Sequence, residues 1–260
     1  MEQNQVYFKL QKHLDNQAIG FPATKTGVEI RILERIFTPE EAEIASFLNY
    51  KFEPLKIIYS RVKHLVESPE KLKKILDRIQ KKGGIEVKIK NSKKHYCNAP
   101  LVIGMHEFQL DRHTPEFMKD FNDYTSNKNF VIEYLSTVLP QKRTIPVAKS
   151  IQPQHHISTF DEVTTLLQKA EEPFAIIECI CRKKKSIEGK SCKLTDRNET
   201  CLAIGGMAQM TLANDVGRKI TRDEAMSIIE LNQKEGLVLQ PSNKKKRNLF
   251  VRVVGVAVLP

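Results

Sequence analysis

The sequence predicts an α+β fold in which a winged-helix-like N-terminal domain precedes a smaller α/β domain that carries a cysteine site. Apolar residues recur at helical spacing near the N-terminus, and an alternating segment after them indicates a β-hairpin. Four of the five cysteines fall within residues 179–201. We expect a winged-helix-like domain at 1–110, a helical segment and connector at 111–157, a cysteine-cluster domain at 158–243 and an aberrant tail at 244–260.

The first helices are predicted from apolar spacing and from their start signals. In GVEIRILERIF, the apolar positions lie on one helical face at Val28, Ile30, Ile32, Leu33 and Ile36. The next helix, TPEEAEIASFL, begins with a Thr cap, a Pro that fits the first turn and a Glu at capping-box spacing. These signals are Thr38, Pro39 and Glu41.

A third start signal precedes the most basic helix of the chain. Ser68 and Pro69 lead into EKLKKILDRIQKKGG, which Gly83 and Gly84 end. IEVKIK then alternates with the period of a strand, NSKK turns, and HYCNAPLVIG is predicted to return as a strand that reaches residues 101–104. Helices followed by a hairpin are the order of elements in a winged helix.

Basic residues concentrate in three stretches of a chain whose formal net charge is +11. Residues 71–94 carry a net charge of +8, and residues 182–197 and 244–252 each carry +5. Such clusters attract nucleic acid or acidic partners. The last helix and the wing would hold DNA phosphates through Lys73, Lys74, Arg78, Lys81, Lys82, Lys88, Lys90, Lys93 and Lys94. The alternative is a solvated basic face, because lysines alone do not read bases.

The middle of the chain offers structure but no clear chemistry. Thr114, Pro115 and Glu116 predict another helix start. VLPQKRTIPVAKSIQPQHHIS contains three prolines and is typical of an extended connector, so we place the domain boundary there. FDEVTTLLQKA follows as a predicted helix.

The cysteine stretch follows a segment typical of a buried strand. AIIECIC is rich in β-branched residues, and alternate residues of a strand share a face, so Cys179 and Cys181 would emerge on one side. RKKKSIEGKS is predicted to be a loop that returns Cys192 to them. Cys201 would open a helix-like run, CLAIGGMAQMTLANDVG, where the helix dipole favours a thiolate.

Four thiols in one cation-rich stretch are typical of a metal or iron–sulfur site. Nearby cations stabilise thiolates and tune cluster potentials. The spacing C-x-C-x10-C-x8-C matches neither the common ferredoxin runs nor zinc-finger spacings. Ordinary reduced cysteines in a core are the alternative. A disulfide framework is disfavoured by the odd cysteine count and by the polar N-terminus, which lacks the pattern of a signal peptide.

Three segments resemble a bacterial and archaeal family of 4Fe-4S binding, ferredoxin-type iron–sulfur proteins. They are KHLDNQAIGFPATKTGVEIRILERIFTPEEAEIA, CICRKKKSIEGKSCKLTDRNETC and GRKITRDEAMSIIELNQKEGLVLQPSN, and they are distributed along the chain within residues 5–243. The resemblance implies a [4Fe–4S] cluster with Cys179, Cys181, Cys192 and Cys201 as its ligands. It also implies electron transfer or redox sensing with a redox protein partner.

The C-terminal part departs from that family. Leu239 stands where relatives usually carry a histidine, and the segment after Asn243 lacks the usual second cysteine-rich stretch and ferredoxin domain. The tail is rich in valine, and permissible codons for FVRVVGVAV encode many cysteines in another frame. We therefore hypothesise a frameshift near residues 244–249; the alternative is a genuine basic and apolar tail. With a frameshift, the chain would be a remnant of a longer electron-transfer protein.

Composition narrows the remaining classes of function. No apolar run approaches the roughly 18 residues of a membrane helix, so we expect a cytoplasmic protein without a membrane span. No catalytic acid, base or substrate pocket is indicated, which favours a binding role over an enzyme. The prediction is an iron–sulfur protein; the alternative is a winged-helix DNA-binding regulator whose cysteines hold a structural zinc or a sensing cluster.

Overall fold

The fold is taken from a computed structural model, which describes residues 2–17, 19–136, 163–190, 192, 194–237 and 239. The chain divides into two compact units, Met1–Val138 and Leu139–Pro260. Helices and strands are mixed in the chain, which confirms the α+β prediction. The finer division at residues 110, 157 and 243 stays a prediction, and the tail 244–260 lies outside the described residues.

Seven α-helices are described in the first unit. Their bounds are α1 Glu2–Asp15, α2 Val28–Ile36, α3 Pro39–Ala45, α4 Leu55–Val62, α5 Pro69–Lys81, α6 Pro115–Thr125 and α7 Lys128–Leu135. The apolar face predicted for α2 is buried in the core together with the predicted face of α5. Phe121, Tyr124 and Phe130 extend the same core into α6 and α7.

Side-chain caps begin three of these helices at the predicted residues. The Thr38 hydroxyl accepts a hydrogen bond from the Glu41 amide, and the Glu41 carboxylate accepts one from the Thr38 amide. The Ser68 and Thr114 hydroxyls cap α5 and α6 by accepting from the Lys71 and Phe117 amides, without the reciprocal bond. Each cap satisfies an amide that the first helical turn leaves without a partner.

A three-stranded sheet follows the basic helix α5. Strands β1 Glu53–Pro54, β2 Ile85–Lys90 and β3 Lys93–Asn98 are arranged in the order β1-β3-β2, and both pairs are antiparallel. Gly83 has a φ of 76° after α5, which allows the chain to reverse into β2. Asn91 and Ser92 turn the β2–β3 hairpin with φ values of 50° and 58°, as a two-residue hairpin turn requires.

The strand predicted at residues 101–104 is wrong. Leu101–Met105 forms a π-helical turn, and a 3-10 helix follows at Glu107–Arg112. The backbone amide of Met105 donates to the Pro100 carbonyl, and the amide of His106 donates to the Leu101 carbonyl. These internal bonds satisfy the backbone without a strand partner, so the β-branched composition does not decide the conformation.

The second unit contains a small sheet with helices packed on it. Its elements are α8 Val163–Lys169, β4 Phe174–Glu178, α9 Ile180–Ile187, β5 Glu199–Ile204, α10 Gly206–Ala213, β6 Arg218–Ile220 and α11 Arg222–Lys234. β4 is the central strand and pairs antiparallel with β5 and β6. Phe174, Ile176, Leu202 and Ile204 anchor the core against α8 and α11.

Three local predictions around the cysteines are wrong. The strand predicted to carry Cys179 and Cys181 ends at Glu178, and Cys181 lies in α9. The segment after Cys181 was predicted as a loop, yet α9 continues to Ile187 because Arg and Lys are good helix formers. Gly189 then ends the helix at a φ of 70°, with the Lys190 amide on the Lys185 carbonyl. Cys201 does not lie at a helix start: it lies in β5, where backbone pairing with β4 prevails over the helical pattern.

Candidate functional site

The end of strand β4 brings two distant cysteines together. Ile177 pairs with Cys201, and the register shifts after Ile177, so that Glu178 pairs with Glu199. Cys179 lies one residue past the end of β4, beyond this register shift. The Cys179 amide donates to the Asn198 carbonyl at 2.8 Å and extends this contact past the last strand pair. The irregular end of the sheet thus draws Cys179 toward Cys201.

Three of the four predicted cysteine ligands meet at this point. Cys179 occupies the N-cap position of α9 without a side-chain capping hydrogen bond, and Cys181 lies in the first turn of that helix. The thiols of Cys181 and Cys201 donate to the Cys179 sulfur and are the main causes that lower the pKa of Cys179. Cys179 and Cys201 are buried, whereas Cys181 is partly exposed.

Cys192 contacts a buried arginine. The Arg182 guanidinium lies 3.2 Å from the Cys192 sulfur and also donates to the Arg197 carbonyl. Burial raises the pKa of the Cys192 thiol, but the amides of Leu194 and Thr195 and the Arg182 side chain outweigh it, so that the pKa is lowered. Arg182 is only 9% exposed. One cation therefore contributes to the stabilisation of both Cys192 and Cys179 as thiolates.

Helix α11 anchors the loop between Cys192 and Cys201. The Arg197 guanidinium donates to both carboxylate oxygens of Glu235, at 2.9 Å and 2.5 Å, and to the Asn232 side chain at 2.7 Å. Asn232 is buried and donates in turn to the Thr200 carbonyl at 3.0 Å. Helix α11 therefore holds the loop at Arg197 and the start of β5 at Thr200, on the N-terminal side of Cys201.

The sequence did not indicate these supporting residues. Arg197 and Glu235 are 38 residues apart, and neither local periodicity nor a motif connects them. The helix-end segment ELNQKEG contains both acceptors, but its composition is that of any solvated helix terminus. Only the packing of α11 against β5 brings the pair together.

The donor chemistry fits a soft metal or an iron–sulfur group, since cysteine thiolates are preferred ligands of both. Among the residues that the structure describes, however, no group of three or more His, Cys, Asp and Glu side chains has the geometry of a metal site. The cysteine sulfurs are close to one another, but a metal site also requires that its donor atoms surround one common point. Cys192, held by Arg182, is the predicted ligand that does not join the contact with Cys179.

The predicted nucleic-acid residues of the first unit divide into paired and unpaired groups. Arg78 and Lys82 bind Glu41, and Arg78 also binds Glu40. Asp77 binds Lys73 and Lys94. Within the described part of the chain, no ion pair involves the other five, which are Lys74, Lys81, Lys88, Lys90 and Lys93.

None of the helices in the described part of the chain has the length and apolar composition needed to span a lipid bilayer. Comparison with family models, with curated proteins and with solved structures gives no match to this chain. The resemblance to ferredoxin-type proteins therefore stays a prediction that the cysteine chemistry has to test.

Proposed function

We propose that the second unit binds an iron–sulfur cluster, of the [4Fe–4S] type, through Cys179, Cys181, Cys192 and Cys201. The observation that carries this proposal is the contact of the Cys181 and Cys201 thiols with the Cys179 sulfur. Strand pairing, rather than sequence proximity, brings Cys201 to the CxC pair. The resemblance to 4Fe-4S binding proteins supports the same ligand set.

The residues around the sulfurs have defined tasks in this proposal. When bound, the cluster would supply one-electron transfer or redox sensing. Arg182 offsets the negative charge of the thiolates, and its backbone amide also helps to lower the Cys179 pKa. Burial of Cys179 and Cys201 limits water at two of the four sulfurs. A redox protein would then be the physiological partner.

The exposed basic residues of α9 suit an acidic redox partner. Lys184 and Lys185 lie in the last turn of the helix, and Lys185 is exposed. Their positive charge would steer a negatively charged protein toward helix α9, whose first turn carries Cys181.

The test is anaerobic purification of the full chain, with iron, sulfide and zinc quantified per chain and the visible spectrum recorded. We expect about four iron and four sulfide per chain and broad visible absorption, the composition of a [4Fe–4S] cluster. Cys179→Ser and Cys192→Ser should lose the iron. Cys97→Ser is the matched control, because Cys97 is a buried cysteine of the first unit.

Three outcomes separate the alternatives. Colourless protein with one zinc per chain would replace the cluster by a structural zinc on the same cysteines. Colourless protein without metal would overturn the proposal and leave ordinary thiols or a remnant. Equal iron loss in Cys97→Ser and Cys192→Ser would show that the effect is one of stability rather than ligation.

A second candidate function is DNA binding by a winged-helix-like first unit. The order of its elements supports it: β1, α4, α5 and the β2–β3 hairpin follow one another, and β1 pairs with the far strand of the hairpin. The test is retention of the full chain on duplex DNA over a salt series. A preferred sequence together with salt-sensitive affinity would support a regulator. Absence of retention at low salt would exclude it.

A further inference from the structure

One face of the β2–β3 hairpin carries an unusual concentration of positive charge. In the register of the hairpin, Lys90 pairs with Lys93 and Lys88 pairs with His95. Paired residues of an antiparallel ladder share a face, and so do residues two apart on one strand. Lys88, Lys90 and Lys93 therefore lie on one face, which we call the basic face.

The positive charges on the basic face repel one another. Like charges directly opposite each other destabilise a strand pair, and Lys90 and Lys93 are such a pair. No ion pair in the described part of the chain involves the three lysines. Glu86 lies on the same face two residues before Lys88, but its side chain is buried and 2% exposed. The next lysine, Lys94, points to the other face and binds Asp77.

Helix α5 differs from the hairpin because several of its basic side chains form ion pairs with carboxylates. Its Arg78 binds Glu40 and Glu41, and its Lys73 binds Asp77. An arginine or lysine that already contacts a carboxylate must give up that contact before it can bind a phosphate. Lys74 and Lys81 are the exposed lysines of α5 that remain for an external anion.

We infer that the basic face of the hairpin, rather than α5, is the main surface through which the first unit binds the phosphodiester backbone of nucleic acid. This inference rests on the second function proposed above and narrows it. Lys88 and Lys90 are about 6.8 Å apart along one strand, and the closely spaced charges of a nucleic-acid backbone can contact both together with Lys93. Lysine ammonium groups lack the planar fork that reads guanine, so binding would be independent of sequence.

A competing explanation for the same lysines is protection of a sheet edge. β2 is an edge strand of the sheet order β1-β3-β2, and natural edge strands often carry lysine against aggregation. Charge reversal separates the two explanations, because glutamate also protects an edge but repels phosphate.

The experiment compares the full chain with its K88E/K90E/K93E variant by fluorescence anisotropy on a short labelled DNA duplex over a salt series. We expect binding to weaken and the slope of log affinity against log salt to fall by about 3, roughly one per lost phosphate contact. The matched control is K25E/K56E/K63E, which makes the same change of net charge at lysines elsewhere in the first unit that form no ion pair in the described chain. The control should retain the wild-type slope.

Each other outcome has a distinct meaning. An unchanged slope in the hairpin variant, with loss of binding in K74E/K81E, would overturn the inference in favour of α5. If the salt slope falls equally in the hairpin variant and in its control, the inference is also overturned, because the net charge of the protein alone would then determine DNA binding. Wild-type chain that fails to bind DNA at low salt would exclude the second proposed function itself. Binding to vesicles of anionic lipid without binding to DNA would overturn the inference by assigning the face to a membrane surface.

Discussion

The Arg182 guanidinium bridges two parts of the cysteine region: it lies 3.2 Å from the Cys192 sulfur and donates to the Arg197 carbonyl. Arg182 follows Cys181 directly in α9, whereas Cys192 and Arg197 belong to the loop that leads to β5. A buried cation thus connects the helix that carries two of the cysteines with the loop that carries a third. Its charge is also well placed to offset those thiolates.

We expect Arg182→Gln to weaken metal retention by about 10- to 100-fold, the usual effect of removing an outer-shell partner. The guanidinium charge and the contact with Cys192 are both lost in this variant. The measurement is the iron or zinc retained per chain against a competing chelator. Arg182→Lys keeps the charge and should recover part of the retention.

The matched control for this prediction is Lys185→Gln, which removes an exposed cation from the same helix. Retention equal to wild type in Arg182→Gln would show that charge at this position is irrelevant to the site. If Arg182→Gln and Lys185→Gln lose the same amount of metal, the effect comes from the total positive charge of α9 and not from the position of Arg182.

Asn232→Ala should destabilise the second unit by about 1–3 kcal/mol, because it leaves the buried Thr200 carbonyl without this donor and removes one acceptor of Arg197. Hydrogen–deuterium exchange across β5 and α11 measures the effect locally. Gln233→Ala, on the neighbouring and partly exposed position, is the control. Wild-type protection of β5 in Asn232→Ala would contradict a supporting role for this hydrogen bond.

Glu41→Gln should destabilise the first unit by about 2 kcal/mol at neutral pH, since charged hydrogen bonds to Arg78 and Lys82 are lost. Burial raises the Glu41 pKa, but the hydrogen bonds from Lys82, the Thr38 amide and Arg78 prevail and lower it below 4.5. A lowered folded-state pKa stabilises the fold above pH 4.5, and this stabilisation is lost as the pH falls through the folded value.

The difference between wild type and Glu41→Gln should therefore shrink in acid, which denaturation curves at several pH values can measure. Glu43→Gln is the control: its pairing with Lys9 is solvent-accessible and should contribute less than about 1 kcal/mol. If wild type and Glu41→Gln differ in unfolding free energy by the same amount at pH 3 and pH 7, the ionised carboxylate is not the cause of the difference.

Gly217→Ala should destabilise the sheet beside the cysteines by about 1–3 kcal/mol. An added Cβ would lie 2.5 Å from the Ile176 carbonyl oxygen and 2.7 Å from the Thr211 methyl group. Backbone at the centre of β4 cannot move aside as the end of a flexible side chain can. Thermal unfolding of the full chain measures this loss, and hydrogen–deuterium exchange of β4 measures it locally. If the variant is as stable as wild type, the turn before β6 moves enough to accommodate the added methyl group.

Local sequence predicted much of the first unit because its signals act within a few residues. The Thr38–Glu41 capping box, the Ser68 cap and the apolar face of α5 all occur at the predicted residues. The same local logic was wrong at Leu101–Met105 and over residues 182–187. There, β-branched or charged composition suits more than one conformation, and partners elsewhere in the chain decide between them.

The sequence by itself determined the mixed α+β composition, the helix starts of the first unit, the hairpin with its lysines and the concentration of four cysteines. Only the tertiary structure decided which of these groups meet. Pairing of β4 with β5 brings Cys201 to Cys179. Packing of α11 brings Glu235 into contact with Arg197. The contact between α3 and α5 lets Glu41 form an ion pair with Arg78. Contacts of this kind join residues that are tens of positions apart, so their geometry depends on how the elements pack and not on local propensity.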